Sequence, residues 1–181
     1  MTVSNSFDVL QNETSQVSES VQTGVCGFSS GKIHLISVNI NGVRGKTLEI
    51  AERLQNDKTD VLICQVTKLD SSVGSSELFP PGYTVYRKDR NLRGGGVCIT
   101  VSNKLRSSQC MEMDADCEAI WVKITTSDNS PIYVSSYYRP SGSHMDTVEM
   151  LRKPLDTVHA KHRKKPPFVV LCGDVNYPLI N

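Results

Sequence analysis

Two apolar runs, Ile33–Val38 (IHLISV) and Asp60–Cys64 (DVLIC), enclose a stretch whose apolar residues recur with a helical period. Between them TLEIAERLQND sets Leu48, Ala51 and Leu54 on one helical face, with Ile50 and Leu54 four apart. Thr47 stands where an N-cap belongs. A strand, a helix and a strand within about thirty residues make a βαβ unit, and a chain that starts its core this way is committed to layers of sheet and helix.

The strands that follow are shorter. Tyr83–Arg87 and Gly95–Val101 flank the loop KDRNLRGG, and Ala119–Ile124 and Ile132–Tyr138 flank the turn TTSDNSP, so both pairs read as antiparallel hairpins. Val148, Leu151, Leu155 and Val158 mark a second helical face, which Pro154 is expected to kink or split. PPFVVLC is the last strand. The order predicts an α/β fold: a two-sheet α/β sandwich of mixed strands with helices outside. Residues 1–31, rich in Ser, Thr, Gln and Asn, bury too little to offset their ordering entropy and are expected to be a disordered tail, with the domain at 32–181.

At 181 residues, 38% hydrophobic and 22% charged, the chain has the composition of a globular protein, and a net charge of +1 says nothing about partners. No stretch approaches the roughly 18 apolar residues of a membrane span, and the N-terminus lacks the basic start and apolar segment of a secretory signal. The six cysteines form no C-x-x-C pair. Cys64, Cys98 and Cys172 sit in apolar runs as small hydrophobes, and Cys110 and Cys117 are close enough in sequence to pair. An intracellular location, nuclear or cytoplasmic, is expected.

In such a sandwich the polar residues at strand ends gather at one rim: Asn39, Asn41, Gln65–Lys68, Tyr138, Arg139, Asp174 and Asn176. Taken singly, Asn41-Gly42 is a turn dipeptide and Gly173-Asp174 a turn after a buried strand. Together the segments SVNINGVR (37–44), LICQVTKL (62–69), GGGVCITV (94–101), YYRPSG (137–142) and LCGDVN (171–176) resemble, in order and spacing, the endonuclease/exonuclease/phosphatase family. The resemblance is closest to the endonuclease domain of non-LTR (LINE-type) retrotransposon polyproteins, where a reverse transcriptase follows.

The resemblance implies Mg²⁺-assisted phosphodiester hydrolysis, with DNA nicking as the retrotransposon activity. It implies Asn39 and Asn41 at the metal and phosphate site, and Tyr138 reaching the phosphate. It gives Asp174 and Asn176 the task of orienting the attacking water and holding the phosphate. Arg139, Arg93 and Lys68 are the expected DNA contacts, although for Arg93, with Arg87, Lys88 and Arg90, a solvated hairpin loop is the slightly better reading. Glu118, just before its strand, is a candidate supporting carboxylate. Trp121, Tyr133 and Tyr137 read as core. The glycine triplet 94–96 reads as a turn allowing close backbone approach, and the basic run His159–Lys165 as a solvated helix end.

Two departures shape the functional expectation. Where the family places a metal-binding Glu, in Gln-Glu-Thr, this chain has Val66, which cannot ligate Mg²⁺. The family's later strands and its Ser-Asp-His segment have no counterpart here, and none of His34, His144, His159 and His162 stands in such a motif. A C-terminally truncated domain without turnover, binding DNA weakly or not at all, is therefore expected over an active endonuclease. A phosphatase or lipid phosphodiesterase of the same family fits the motif spelling less well.

Overall fold

The computed structural model describes residues 10–11, 21–28, 31–56, 58–113, 117–142 and 146–176. Among the described residues ten strands and two α-helices follow one another. They are β1 (Leu10–Gln11), β2 (Val21–Phe28), β3 (Gly31–Asn39), α1 (Thr47–Gln55), β4 (Val61–Gln65), β5 (Tyr83–Lys88), β6 (Val97–Ser102), β7 (Arg106–Gln109), β8 (Glu118–Thr125), β9 (Pro131–Tyr138), α2 (Asp146–Lys161) and β10 (Phe168–Asp174). One sheet has the order β1-β2-β3-β4-β6-β5, the other β10-β9-β8-β7. The βαβ unit is present: β3 and β4 are parallel across α1, in the register Leu35↔Val61 to Asn39↔Gln65. Both expected hairpins are antiparallel, β5 on β6 and β8 on β9.

Strand alternation sorts the apolar residues into layers. Leu35, Val61, Ile63, Val97, Ile99 and Val101 point between the sheets, where they meet Ile120, Val122, Ile124, Ile132, Val134 and Val170. Ile36, Val38, Leu62, Cys64 and Cys98 point to the other side of the first sheet, under Ile50 and Leu54 of α1. Leu155 and Val158 of α2 cover Trp121, Tyr133 and Met113 on the outside of the second sheet. The molecule is a two-sheet sandwich with a helix on each outer face, as the element order predicts.

Several local expectations are corrected. The tail does not extend over 21–28: β2 pairs along its whole length with β3, Val21↔Val38 to Phe28↔Gly31. Most of its side chains bury little, and the strand is held by main-chain hydrogen bonds on an otherwise open sheet edge. The rest of the expected tail, apart from β1, and Cys26's side chain lie outside the described residues. Leu48 is 85% exposed, so the buried face of α1 is Ile50 and Leu54. The N-cap is Lys46 rather than Thr47, and no side chain caps the helix. α2 runs through Pro154 as one element, with Leu151 buried and the Val148 side chain outside the described residues. Cys64 and Cys98 are buried, Cys172 is only half-buried, and Cys110 and Cys117 are not joined in a disulfide.

Ile63 lies on a central strand, fully buried between the sheets. Ile63→Ala is expected to lower the unfolding free energy by about 2–5 kcal/mol. Urea unfolding checks this, read as a lower midpoint at an unchanged denaturant slope.

Candidate active site

The inward positions change character along the strands. On β3 they run Ile33, Leu35, Ser37, Asn39; on β4, Val61, Ile63, Gln65; on β9, Ile132, Val134, Ser136, Tyr138. Each series is apolar at one end of the sandwich and polar at the other. Gln65 Nε2 donates to Ser37 Oγ and Ser136 Oγ, both at 3.3 Å, and Ser136 Oγ donates to the Cys64 carbonyl at 3.0 Å. This buried polar layer ties the sheets together just beneath the rim.

At the rim Asn39 Nδ2 donates to Asp174 Oδ2 at 2.8 Å, bridging β3 of one sheet to β10 of the other. Asn39 Oδ1 is buried and has no hydrogen-bond partner among the described residues. Asp174 Oδ1 also accepts the Asn176 amide at 3.2 Å. Tyr138 stands between Asp174 and Glu118 in the strand registers, Asp174↔Tyr138 and Glu118↔Tyr138. Its hydroxyl is held above the usual tyrosine range, first by burial and then by the nearby negative charges of Asp174 and Glu118. The phenol is thus kept protonated, as a hydrogen-bond donor, to higher pH than an exposed tyrosine.

The remaining expected residues are placed differently. Asn176 turns its side chain back, Nδ2 donating to the Arg139 carbonyl at 2.8 Å. Arg139, expected on DNA, is 4% exposed, and its Nη1 donates to the Asn176 carbonyl at 2.8 Å. The guanidinium follows a strand that ends under the 174–176 turn, so it braces that turn instead of reaching out. Asn41 is exposed, with φ +47, and lines a cleft of about 360 Å³ with Gly42, Arg44, Lys46, Lys68 and Leu92. Arg93 is exposed in the turn at Asn91–Gly94. Of the other loop cations, Arg87 donates to the carbonyls of Val73 and Asp70 at 2.8 and 3.0 Å. Arg90 pairs with Glu118 at 2.7 Å, so neither is a merely solvated charge.

Val66 follows β4 with φ +57, a left-handed conformation that costs a β-branched residue about 1–2 kcal/mol. The main chain around it explains how that persists. The carbonyls of Gln65, Val66 and Thr67 accept the amides of Ile40, Gly42 and Val43, at 3.0, 2.8 and 3.1 Å. The amides of Thr67 and Lys68 donate to the carbonyls of Gly96 and Gly95, at 3.1 and 2.9 Å. Glu118 anchors the outer side of this zipper, its Oε2 accepting the Gly96 amide at 2.6 Å. Glu118 therefore braces the main chain that holds the loop after β4. The sequence signal for this was the glycine pair: side chains at Gly95 and Gly96 would collide with Glu118 and with Thr67 Oγ1.

A family-bound Mg²⁺ needs carboxylate oxygen. The rim offers Asp174 and the open Asn39 Oδ1, while Val66 contributes no donor, and no group of three or more metal-binding side chains occurs among the described residues. The residues present do not fit a resident Mg²⁺.

No family model and no curated protein matches the sequence. Solved structures match the fold. The endonuclease domain of TRAS1, a telomere-specific non-LTR retrotransposon, superposes with a TM-score of 0.57 at 19% identity, over 78% of this chain and 58% of that one. The human Nocturnin catalytic domain gives 0.58 at 15%, over 80% and 64%. An endonuclease/exonuclease/phosphatase family protein from Bacteroides thetaiotaomicron gives 0.53 at 16%, over 78% and 58%. The chain has the endonuclease/exonuclease/phosphatase fold, and it spans less than two thirds of the length of these structures.

Gly173, beside Asp174, lies where a Cβ would overlap the Tyr137 carbonyl, a backbone atom that no rotamer change can move aside. Gly173→Ala is expected to cost about 1–3 kcal/mol. It should also loosen the Arg139 amide, which donates to the Asp174 carbonyl at 2.9 Å. Denaturant unfolding checks the first effect, and faster hydrogen exchange at Arg139 the second.

Proposed function

We propose that this chain carries part of a phosphodiester-hydrolase site, descended from a Mg²⁺-dependent DNA endonuclease of a non-LTR retrotransposon, and that as written it has no turnover. The observation that carries the reading is the Asn39–Asp174 hydrogen bond across the two sheets, beside Tyr138. It supplies the geometry that phosphoryl chemistry asks of protein groups. A fixed carboxylate accepts a proton or orients water, and a neutral hydroxyl donates to developing negative charge. In this reading Asp174 orients the water, Asn39 fixes the Asp174 carboxylate, and Tyr138 donates to a phosphoryl oxygen. Asn176 and Arg139 hold the turn on which Asp174 sits.

Turnover fails for want of two things. Mg²⁺ supplies the electrostatic stabilisation of the phosphoryl oxygens in this chemistry, worth several kcal/mol, and about 1.4 kcal/mol is tenfold in rate. Val66 removes the carboxylate that would hold it. The described residues also bring no histidine to the rim: His34 lies toward the far end of β3, and His159 and His162 lie at the end of α2. The residual function is that of a pseudo-nuclease with weak affinity for nucleic acid.

Incubated with supercoiled plasmid and Mg²⁺, the purified chain is expected to give no nicked circle above a protein-free control. Nicking that EDTA abolishes would overturn the reading. Val66→Glu should raise Mg²⁺ affinity in a calorimetric titration, yet leave plasmid supercoiled. Nicking by that single variant would show that the carboxylate was the whole deficit.

A further inference from the structure

The end of the sandwich opposite the candidate active site holds a cleft that the proposed chemistry does not use. β3 and β4 run toward the rim, so their starts lie at the far end, as do the end of β6, the start of β7 and the end of β8. There a cleft of about 540 Å³ opens between Lys32, Asn103, Lys104, Arg106 and Ser127. Its lining contains three cations and no carboxylate. Lys32, Lys104 and Arg106 are exposed and make no ion pair with any described residue.

The basic run at the end of α2, read from the sequence as a solvated helix end, belongs to the same surface. Lys165 Nζ donates to Ser130 Oγ at 3.2 Å, and Ser130 closes the turn that follows β8 and supplies Ser127 to the cleft. This brings exposed Lys165, preceded in the chain by exposed Arg163 and Lys164, to the turn that lines the cleft. Two carboxylates at this end, Asp60, whose Oδ2 accepts the His34 amide at 2.9 Å, and Asp128, offset part of this charge and leave the cations in excess. Asp128 is folded into its own turn, accepting from Thr126 Oγ1 and from the Ser130 amide and hydroxyl. Like charges collected from β3, the 103–106 turn and the end of α2 repel one another, so the arrangement favours a polyanion. The cations come from too many separate elements for one phosphate to reach. The large exposed apolar residues, Val25, Leu48, Leu92, Met111, Leu171 and Val175, all lie outside the cleft lining. Insertion into a lipid surface would need such residues there.

We propose that this end of the molecule binds the phosphate backbone of a nucleic-acid strand, at a site separate from the rim and independent of any catalysis there. Binding rests on charge and hydroxyl contacts to phosphate, so it is weak in sequence preference and strong in salt dependence.

The test is fluorescence anisotropy with the whole chain, a labelled single-stranded oligonucleotide and EDTA throughout. The proteins compared are the wild type, the double variant Lys104→Glu/Arg106→Glu and the rim-side variant Lys68→Glu/Arg93→Glu. The cleft variant is expected to weaken binding about tenfold and to flatten the log–log salt slope by about 1.4, at about 0.7 per phosphate contact on a single strand. The rim-side variant should change the affinity less. Lys104→Gln/Arg106→Gln, whose neutral side chains spare the fold, should fall between wild type and the charge reversal. The proposal is overturned if the wild type does not bind, if the rim-side variant alone loses binding, or if inorganic tripolyphosphate competes as well as the oligonucleotide per phosphate. Plasmid nicking is read separately: activity there would revise the proposed function and leave this site standing.

Discussion

The parallel register of β3 on β4 is the constraint from which the rest follows. It places Leu35 beside Val61, Ser37 beside Ile63 and Asn39 beside Gln65, all facing the second sheet. A slip of β3 by one residue would turn Ile36 and Val38 inward and leave Ser37 and Asn39 under α1. The correct register does two things at once. It gives the inter-sheet layer an apolar body that drives folding, and it delivers an amide at the end of each strand to meet Ser136 and Asp174 from the opposite sheet. The site is the polar end of the core, built by the same alternation that builds the core.

The loop after β4 owes its shape to its main chain and not to the side chain at its centre. Its conformation is fixed by carbonyls facing the 40–43 loop and amides facing Gly95 and Gly96. None of those bonds uses the side chain at position 66. A valine there bears the strain of a positive φ and the backbone still closes, because five main-chain hydrogen bonds of 2.8 to 3.1 Å outweigh about 1–2 kcal/mol. Glycine is irreplaceable in the facing turn before β6 for the complementary reason. At Gly96, with φ +81, the space a Cβ would take is filled by Thr67 Oγ1.

How much of this was legible beforehand depended on which force placed each residue. Strands with dense apolar runs were readable because burial fixed them, and the rim residues Asn39, Tyr138 and Asp174 because they end such strands. β2 was not: VQTGVCGF has two glycines and little apolar area, and it is ordered by main-chain pairing, which leaves almost no trace in composition. Leu48 misled because periodicity defines a face without saying which neighbouring residue the sheet will cover. Arg139, Arg87 and Arg90 misled because an arginine in a loop reads as a solvated charge, whereas guanidinium groups also satisfy several main-chain carbonyls or a carboxylate at once. The left-handed backbone at Val66 was invisible, since nothing in a β-branched residue announces it.

The distribution of charge separates the two ends of the molecule further. At the rim several ionic groups are tied up internally. Arg90 holds Glu118, Glu118 holds the Gly96 amide, Asn39 holds Asp174, and Arg139 is buried against the 174–176 turn. Such pairing gives precise placement, as a reacting centre requires. At the far end Lys32, Lys104 and Arg106 surround a cleft with no carboxylate in its lining, and their mutual repulsion is a cost that folding bears without return from the core. A net charge of +1 conceals this division. Cations thus line clefts at both ends, Arg44, Lys46 and Lys68 beside the rim and Lys32, Lys104 and Arg106 at the far end, and only the rim adds to them the braced Asn39–Asp174 pair across the sheets.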